Sequence, residues 1–381
     1  MQLPATPHAA PRQPPKLRQA RFEDFAQIAR LEDKHNLISL PKQDWSRVWL
    51  DSPLWPRLGE KWPIGWVLED EHGNIVGTHG NIPGLHSFRG QSLITATGRG
   101  CVVTPEYRGL ALWLLDEFLN QGGVDLFFYN TVNIHGTGVV APLCPRCPLG
   151  DWQAASFWVT AYHGFALTAL KMKGVPLPHI LAPAAAAALR LKHALTAAAL
   201  PPPAQGIDVA FSDHFDDRFD VFWRELVSQN ADKLLAVRDL PTLNWHYAIP
   251  LRAGKIWILT ASRAGSLRAF CVLKREDQPP GFQGLTRIRL VDFQTLEPDR
   301  DLLPTLLRPA LARCSVERIH VLEHMGCDLP RMRSFDRLAP HRRKLQSWKY
   351  YYKAADPALE AELANPQVWD PSTYDGDATI D

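Results

Sequence analysis

VTPEYRGLALWLLDEFLNQGG, residues 103–123, runs a strand end through Pro105 and an Arg108-Gly109 corner directly into a helix. Ala111, Leu114, Leu115, Phe118 and Leu119 fall at i, i+3, i+4, i+7 and i+8 and make one apolar face, while Asp116, Glu117 and Asn120 lie on the wet side. Gly122 and Gly123 stop the helix. At the corner, the backbone N–H groups of residues 109–113 lack carbonyl partners one turn earlier. They are expected to point outward as an anion cradle at the positive end of the helix dipole, with Arg108 adding a fixed charge.

The segment resembles the coenzyme A pyrophosphate loop of the GNAT acyltransferase superfamily, in which a strand ending V-x-P-x-Y-R-G feeds an R-x-x-G-x-G/A turn and a helix. Val103, Pro105, Tyr107, Arg108 and Gly109 match, and the next two small positions of the pattern fall on Ala111 and Trp113. The resemblance implies that Arg108 and the amides of Gly109, Leu110, Ala111, Leu112 and Trp113 hold the pyrophosphate. It also implies that Cys101, Val102 and Val103 pair with pantetheine through their backbone groups. Acetyl-CoA or another acyl-CoA is then the donor, and no metal is needed. Trp113 is the departure from the pattern, since small residues there let the backbone approach the phosphates. An ordinary strand-to-helix turn is the alternative reading.

The 381 residues have room for two domains, and 46% apolar with 22% charged residues is the composition of a soluble globular protein. Lys+Arg 42 against Asp+Glu 40 leaves +2, and Arg342-Arg343-Lys344 is only a short cluster, so nucleic acid is not indicated. No secretory pattern opens the chain and no apolar run reaches membrane-spanning length. A cytoplasmic protein is therefore expected, with peripheral membrane contact left open. Six cysteines are scattered. Cys144-Pro-Arg-Cys147 lies among Pro142, Pro145 and Pro148, with His135 and His163 at no zinc spacing, and reads as a loop with incidental thiols.

Residues 1–15, with Pro4, Pro7, Pro11, Pro14 and Pro15, read as a disordered tail. An N-terminal unit, 16–180, opens with a strand at Lys16–Gln19 and helices at Phe22–Leu31 and Lys42–Leu50. Antiparallel strands follow at Ile64–Asp70, Asn74–Ile82, Leu85–Phe88 and Gln91–Val103, then the helix above and an aromatic-rich strand at Asp125–Asn133. Phe157–Leu170 fits either strand or helix. The alanine-rich Ala182–Leu200, closed by Pro201-Pro202-Pro203, makes residues 181–206 a connecting helix and stiff linker. Arg190, Lys192 and His193 interrupt it, so a packed or solvent-facing connector is favoured over a membrane-surface helix.

A C-terminal unit, 207–356, repeats the order. It has helices at Asp216–Gln229 and Leu240–Tyr247, strands at Lys255–Ala261, Leu267–Arg275 and Thr286–Leu296, and a helix at Asp301–Cys314. A strand at Arg318–His324, a helix at Leu329–Leu338 and a final strand near Gln346–Lys353 complete it, with 357–381 as a tail. Its turn at residues 297–301 has neither glycine nor an Arg-Gly corner, so only the first unit is expected to hold coenzyme A. The layout is similar to that of FemAB-like two-domain acyltransferases, and residues 238–247 and Asp375-Gly376-Asp377 resemble segments of their second units. The resemblance implies an α+β fold of two tandem GNAT-like units, each a mixed, mainly antiparallel central sheet flanked by helices.

Transfer of an acyl group from a thioester to an amine needs a placed donor, an unprotonated amine and a proton source for the thiolate, but no covalent nucleophile. The family's cleft lies between the strand ending at Val103 and the strand 125–133. His135, by its intrinsic pKa, and Tyr129, as proton donor to the thiolate, are the catalytic candidates, each with a structural alternative. Arg99, Asn130, Asn133 and Asp292 are the candidate substrate contacts, and His79 stands on a neighbouring strand. Asp292, inside an apolar strand, must have a partner or face a cleft. Tyr162 occupies a place where the family sometimes carries its acid. His320, Glu323 and His324 do not share one face, so no metal site is assigned. Trp45, Trp49, Trp55, Trp62 and Trp66 read as core packing, with an aromatic acceptor platform as the sharper alternative.

The expected function is a CoA-dependent N-acyltransferase acting on an amine of a small molecule or an envelope or polysaccharide precursor, with acetyl the first candidate acyl group. The alternatives are a catalytically degenerate GNAT-fold binding or scaffold protein and a FemAB-like aminoacyl transferase. Acyl length, acceptor and oligomeric state are open.

Overall fold

The computed structural model describes residues 13–37, 39–196, 198–279, 281–296, 301–345 and 349–380. Most of the expected N-terminal tail and the turn at 297–300 lie outside them. In chain order the strands are β1 (Lys16–Gln19), β2 (Gly65–Glu69), β3 (Ile75–Phe88), β4 (Gln91–Val103), β5 (Leu126–Val132), β6 (Asp151–Val159) and β7 (Asp208–Ser212). They continue with β8 (Leu235–Ala236), β9 (Ile256–Arg263), β10 (Ser266–Asp277), β11 (Thr286–Thr295), β12 (Val321–Cys327), β13 (His341–Lys344) and β14 (Lys349–Ala354). They form two seven-stranded sheets. One has the order β1-β2-β3-β4-β5-β14 with β8 added beside β3, and the other is β13-β6-β12-β11-β10-β9-β7.

The first sheet is an antiparallel meander through β4. The β3–β4 hairpin closes on Arg89 and Gly90, both at positive φ (49° and 75°), the backbone that a tight two-residue turn demands. The two strands expected at Asn74–Ile82 and Leu85–Phe88 are one strand. Pro83 is tolerated inside it because β2 pairs only as far as Gly80 and β8 begins at His86, so one edge of β3 there has no neighbour needing the missing N–H. The chain then crosses through the helix Ala111–Leu119, which buries Leu114, Leu115, Phe118 and Leu119, and β5 returns parallel to β4.

The second sheet repeats this plan. A meander β9–β10–β11 is followed by the helix Leu303–Val316 and a strand, β12, parallel to β11. Mixed sheets flanked by helices, in two units, make the fold α+β.

The units exchange strands. β6 leaves the first unit to lie antiparallel between β12 and β13. The strand expected to finish the second unit is instead β14, which pairs antiparallel with β5 in the first sheet. Its side chains explain the placement. Tyr350 and Tyr352 enter a core that spans both sheets, from Phe128 through Trp152 and Trp369 to Leu259 and Leu322, whereas Tyr351, on the opposite face, enters the first unit's own core. The C-terminal tail is also built in: Pro357–Leu363 is a helix, and Trp369, Tyr374 and Ile380 are buried.

Trp45, Trp49 and Trp62, ahead of the Arg108-Gly109 corner, are buried in the first unit's core. Trp45 packs between Phe22 and Phe25, and the indole N–H groups of Trp49 and Trp62 both donate to the Asn81 carbonyl, at 2.7 and 3.1 Å. Cys144 and Cys147 are buried free thiols. Among the described residues no group of His, Cys, Asp or Glu could hold a metal ion.

Candidate active site

β4 and β5 pair only from Thr95↔Leu126 to Thr97↔Phe128 and then diverge. Just beyond, the β3–β4 ladder skips: Gly80 opposes Arg99 and Thr78 opposes Val102, so His79 faces both Gly100 and Cys101 across a β-bulge. Gly100 adopts φ 60°, a left-handed backbone that favours glycine, and a Cβ there would press on the Glu32 carboxylate at 2.5 Å. The splay leaves the end of β4 unpaired on its β5 side and opens a cavity of about 720 Å³.

One wall of the cavity is Gly98, Gly100, Cys101, Val102 and Val103, and the opposite wall is Tyr129, Thr131, Val132 and Asn133. Arg108 and Ala111 line it from the helix side, His135 from the short helix after β5, and Asp377 from the C-terminal segment.

At the fork of the strands, the buried Tyr129 hydroxyl lies 2.9 Å from His79 Nε2, while His79 Nδ1 lies 2.9 Å from the Gly80 carbonyl. A carbonyl only accepts, so Nδ1 carries the proton and Nε2 accepts from the phenol. Burial pushes His79 down to about 4, keeping it neutral, and pushes Tyr129 well above the usual tyrosine value. The ring fits because position 98 is glycine: a Cβ there would collide with Tyr129 and lie 2.9 Å from the His79 ring.

Asp377 enters from the far end of the chain. Asn130, buried beneath it, accepts from the Gly376 N–H at 3.1 Å and donates to the Asp377 carboxylate at 3.2 Å. Thr131 donates to the same carboxylate at 3.4 Å, and Arg99 approaches it to 3.9 Å. Asp377, two residues beyond a buried anchor, is a cleft residue that the sequence marks only as part of the Asp375-Gly376-Asp377 resemblance and not as a site residue, because its partners here lie 246 or more positions away.

No family model and no curated protein sequence matches the chain. Solved structures do. It superposes on the Saccharomyces cerevisiae N-myristoyltransferase with bound myristoyl-CoA over 88% of this chain and 82% of that one, with TM-score 0.54 and 11% identity. A protein from Enterococcus faecalis described as a probable N-acyltransferase matches over 89% and 72%, at 0.52 and 11%. A GCN5-related N-acetyltransferase from Anabaena variabilis matches over 90% and 73%, at 0.50 and 11%.

The fold is the GNAT acyltransferase fold.

Within this GNAT cleft, Cys101, Val102, Val103, Arg108, Ala111, Tyr129, Asn133 and His135 come together around one cavity. Gly109, Leu110, Leu112 and Trp113 do not line it, and Leu112 and Trp113 face solvent. The corner also differs from an open amide cradle. Pro105–Leu110 is a 3₁₀ helix, and the Ala111 N–H donates back to the Arg108 carbonyl, so one of the expected outward amides is engaged. Asn133 is the N-cap of the helix Ile134–Val140, its side chain accepting from Gly136 N–H at 2.8 Å. His135 is exposed on the rim. Arg99 and Asn130 act behind the lining, on Asp377.

Asp292 is not a cleft residue. It is fully buried and receives Arg238 Nε and Nη2 at 2.8 and 3.1 Å, while Arg238 also bonds Asp375 at 3.1 Å and Ser372 at 3.2 Å. The partner that a charge in an apolar strand requires is thus Arg238, and the pair ties the second sheet to the segment that delivers Asp377. Tyr162, at the start of the helix Tyr162–Met172, packs on His193 and Arg190, away from this cavity.

Proposed function

We propose that the protein is a cytoplasmic acyl-CoA-dependent N-acyltransferase. The donor lies in the β4–β5 fork, with its pyrophosphate at Arg108 and its pantetheine along Cys101–Val103. The acceptor is a primary amine of a small molecule or an envelope or polysaccharide precursor, with the second unit shaping its approach. The observation that supports this most strongly is the splayed fork itself: a strand end open on its β5 side, a cation at the following helix and a phenol–imidazole pair meet at one cavity.

The chemistry follows from the charges at hand. Asp377, a carboxylate held by Asn130, Thr131 and Arg99, attracts an ammonium and takes its proton. The freed amine attacks the thioester carbonyl, a C–N bond forms, the C–S bond breaks, and the second proton leaves the nitrogen for solvent. Tyr129, kept neutral by burial, rotates its O–H from His79 to the leaving thiolate and is reprotonated from solvent. His135, on the rim, is the alternative proton carrier.

Thiol release from acetyl-CoA through longer acyl-CoA esters, measured against a panel of primary amines, tests the reading and also reports acyl length. Tyr129→Phe and Asp377→Asn should each lower amine-dependent release by about a hundredfold. Release that both variants leave unchanged would refute these roles.

A further inference from the structure

No Asp or Glu occurs between Trp152 and Ile207, whereas Lys171, Lys173, Arg190 and Lys192 all fall there. This stretch supplies β6 and then a hairpin of two helices, Tyr162–Met172 and Pro178–Thr196. The second helix turns Ala182 and Ala186 inward. Its outward side carries Leu177, Ile180, Leu181, Leu191 and Leu195, between 44% and 77% exposed, on one helical stripe with Ala184 and Ala188. Met172 extends the row at the turn. A water-facing helix ordinarily puts charge outward, so a contiguous aliphatic row in a segment whose charged residues are all cations is an unpartnered surface among the described residues.

Charge decides what suits it. Within residues 152–207 every ionised side chain is positive. Beside the hairpin turn, Phe165, Ala169, Met172 and Lys173 wall a second cavity of about 180 Å³ that reaches Arg287 and Arg343. There Arg287 and Arg343 both bond the Glu323 carboxylate.

We propose that the hairpin is a docking surface for an anionic lipid bilayer. The Leu177–Leu195 row enters the boundary between headgroups and acyl chains, and Lys171, Lys173 and Lys192 lie among the anionic headgroups. The contact is peripheral: no helix of the described residues is long and apolar enough to cross a membrane. It is independent of how the cleft works and would hold for a protein with no catalytic activity.

Co-sedimentation of the full chain with phosphatidylcholine vesicles, with and without phosphatidylglycerol, tests it. Binding should require phosphatidylglycerol and weaken with salt. Lys171→Gln with Lys173→Gln should lower partitioning about 25-fold, from about fivefold per charge at an anionic surface. Ile180→Ser with Leu191→Ser should abolish binding without moving the melting temperature, since both side chains are exposed. Absent binding, or equal binding to both vesicle types, overturns the proposal. It also falls if sedimentation velocity shows a dimer that the Ile180→Ser, Leu191→Ser variant dissociates, because the row's occupant is then a second copy of the chain.

Discussion

Arg238→Met should loosen the part of the molecule that carries Asp377 into the cleft. The guanidinium is fully buried, bonded to Asp292, Asp375, Ser372 and the Ala236 carbonyl, with its carbon 4.4 Å from the centre of the Tyr374 ring. Methionine keeps much of the volume but strands two carboxylates in the interior. Removing one partner of a buried ion pair costs about 3–5 kcal/mol. At roughly 2 °C per kcal/mol for a chain of this size, the melting temperature should fall by about 6–10 °C. Calorimetry gives the shift, and hydrogen exchange should show protection lost first in residues 370–380. Adding Asp292→Asn should recover part of the loss by removing a stranded charge. A shift below about 2 °C, or exchange that rises evenly along the chain, refutes the view that Arg238 anchors the C-terminal segment.

Burial raises Asp375 to about 7 despite the pull of Arg238. Its folded value lies above the unfolded carboxylate value near about 4, so its contribution to stability is complete below about pH 4 and is lost as pH rises to about 7, at most about 4 kcal/mol. Asp375→Asn should flatten the fall in melting temperature over that window, and an unchanged slope counts against the assignment. Gly98→Ala places a methyl where the Tyr129 ring lies and should cost about 1–3 kcal/mol of stability and, by displacing the hydroxyl about 1 Å, roughly a hundredfold in acyl transfer. Full activity in that variant would remove Tyr129 from the chemistry. Gly376→Ala collides with Asn130 and should release Asp377, raising hydrogen exchange at 376–380; unchanged exchange there would mean that the carboxylate is held otherwise.

Much of the fold is written in local signals. The periodicity of residues 111–119 and the Arg89-Gly90 turn that opens Gln91–Val103 each depend on near neighbours, and the helix and the strand became the elements expected. The exchange of β6 and β14 depends on none of these. Tyr350-Tyr351-Tyr352 reads as a buried strand anywhere, and only the presence of Phe128 and Trp152 on either side fixes it between the two units. The same division holds at the site. Arg108, Cys101–Val103 and Tyr129 could be placed because the cradle and the fork belong to contiguous segments. Asp377 could not, because its position is set by Asn130, Thr131 and the Arg238–Asp375 anchor. Asp292 drew attention as a charge in an apolar strand, and the same physics that requires a partner for it cannot tell a buried arginine from a substrate. The outward amide at Ala111 was lost to a 3₁₀ turn, in which its N–H bonds the Arg108 carbonyl.

The central claim is that the β4–β5 fork binds a coenzyme A thioester with Arg108 on its pyrophosphate. Titration calorimetry of the full chain with coenzyme A, repeated on Arg108→Ala, tests it most directly. The account predicts saturable binding at one site per chain, weakened about tenfold to a hundredfold in the variant by loss of a charge-assisted contact of about 1.5–3 kcal/mol. No binding at millimolar coenzyme A, or equal affinity in the two proteins, would contradict it.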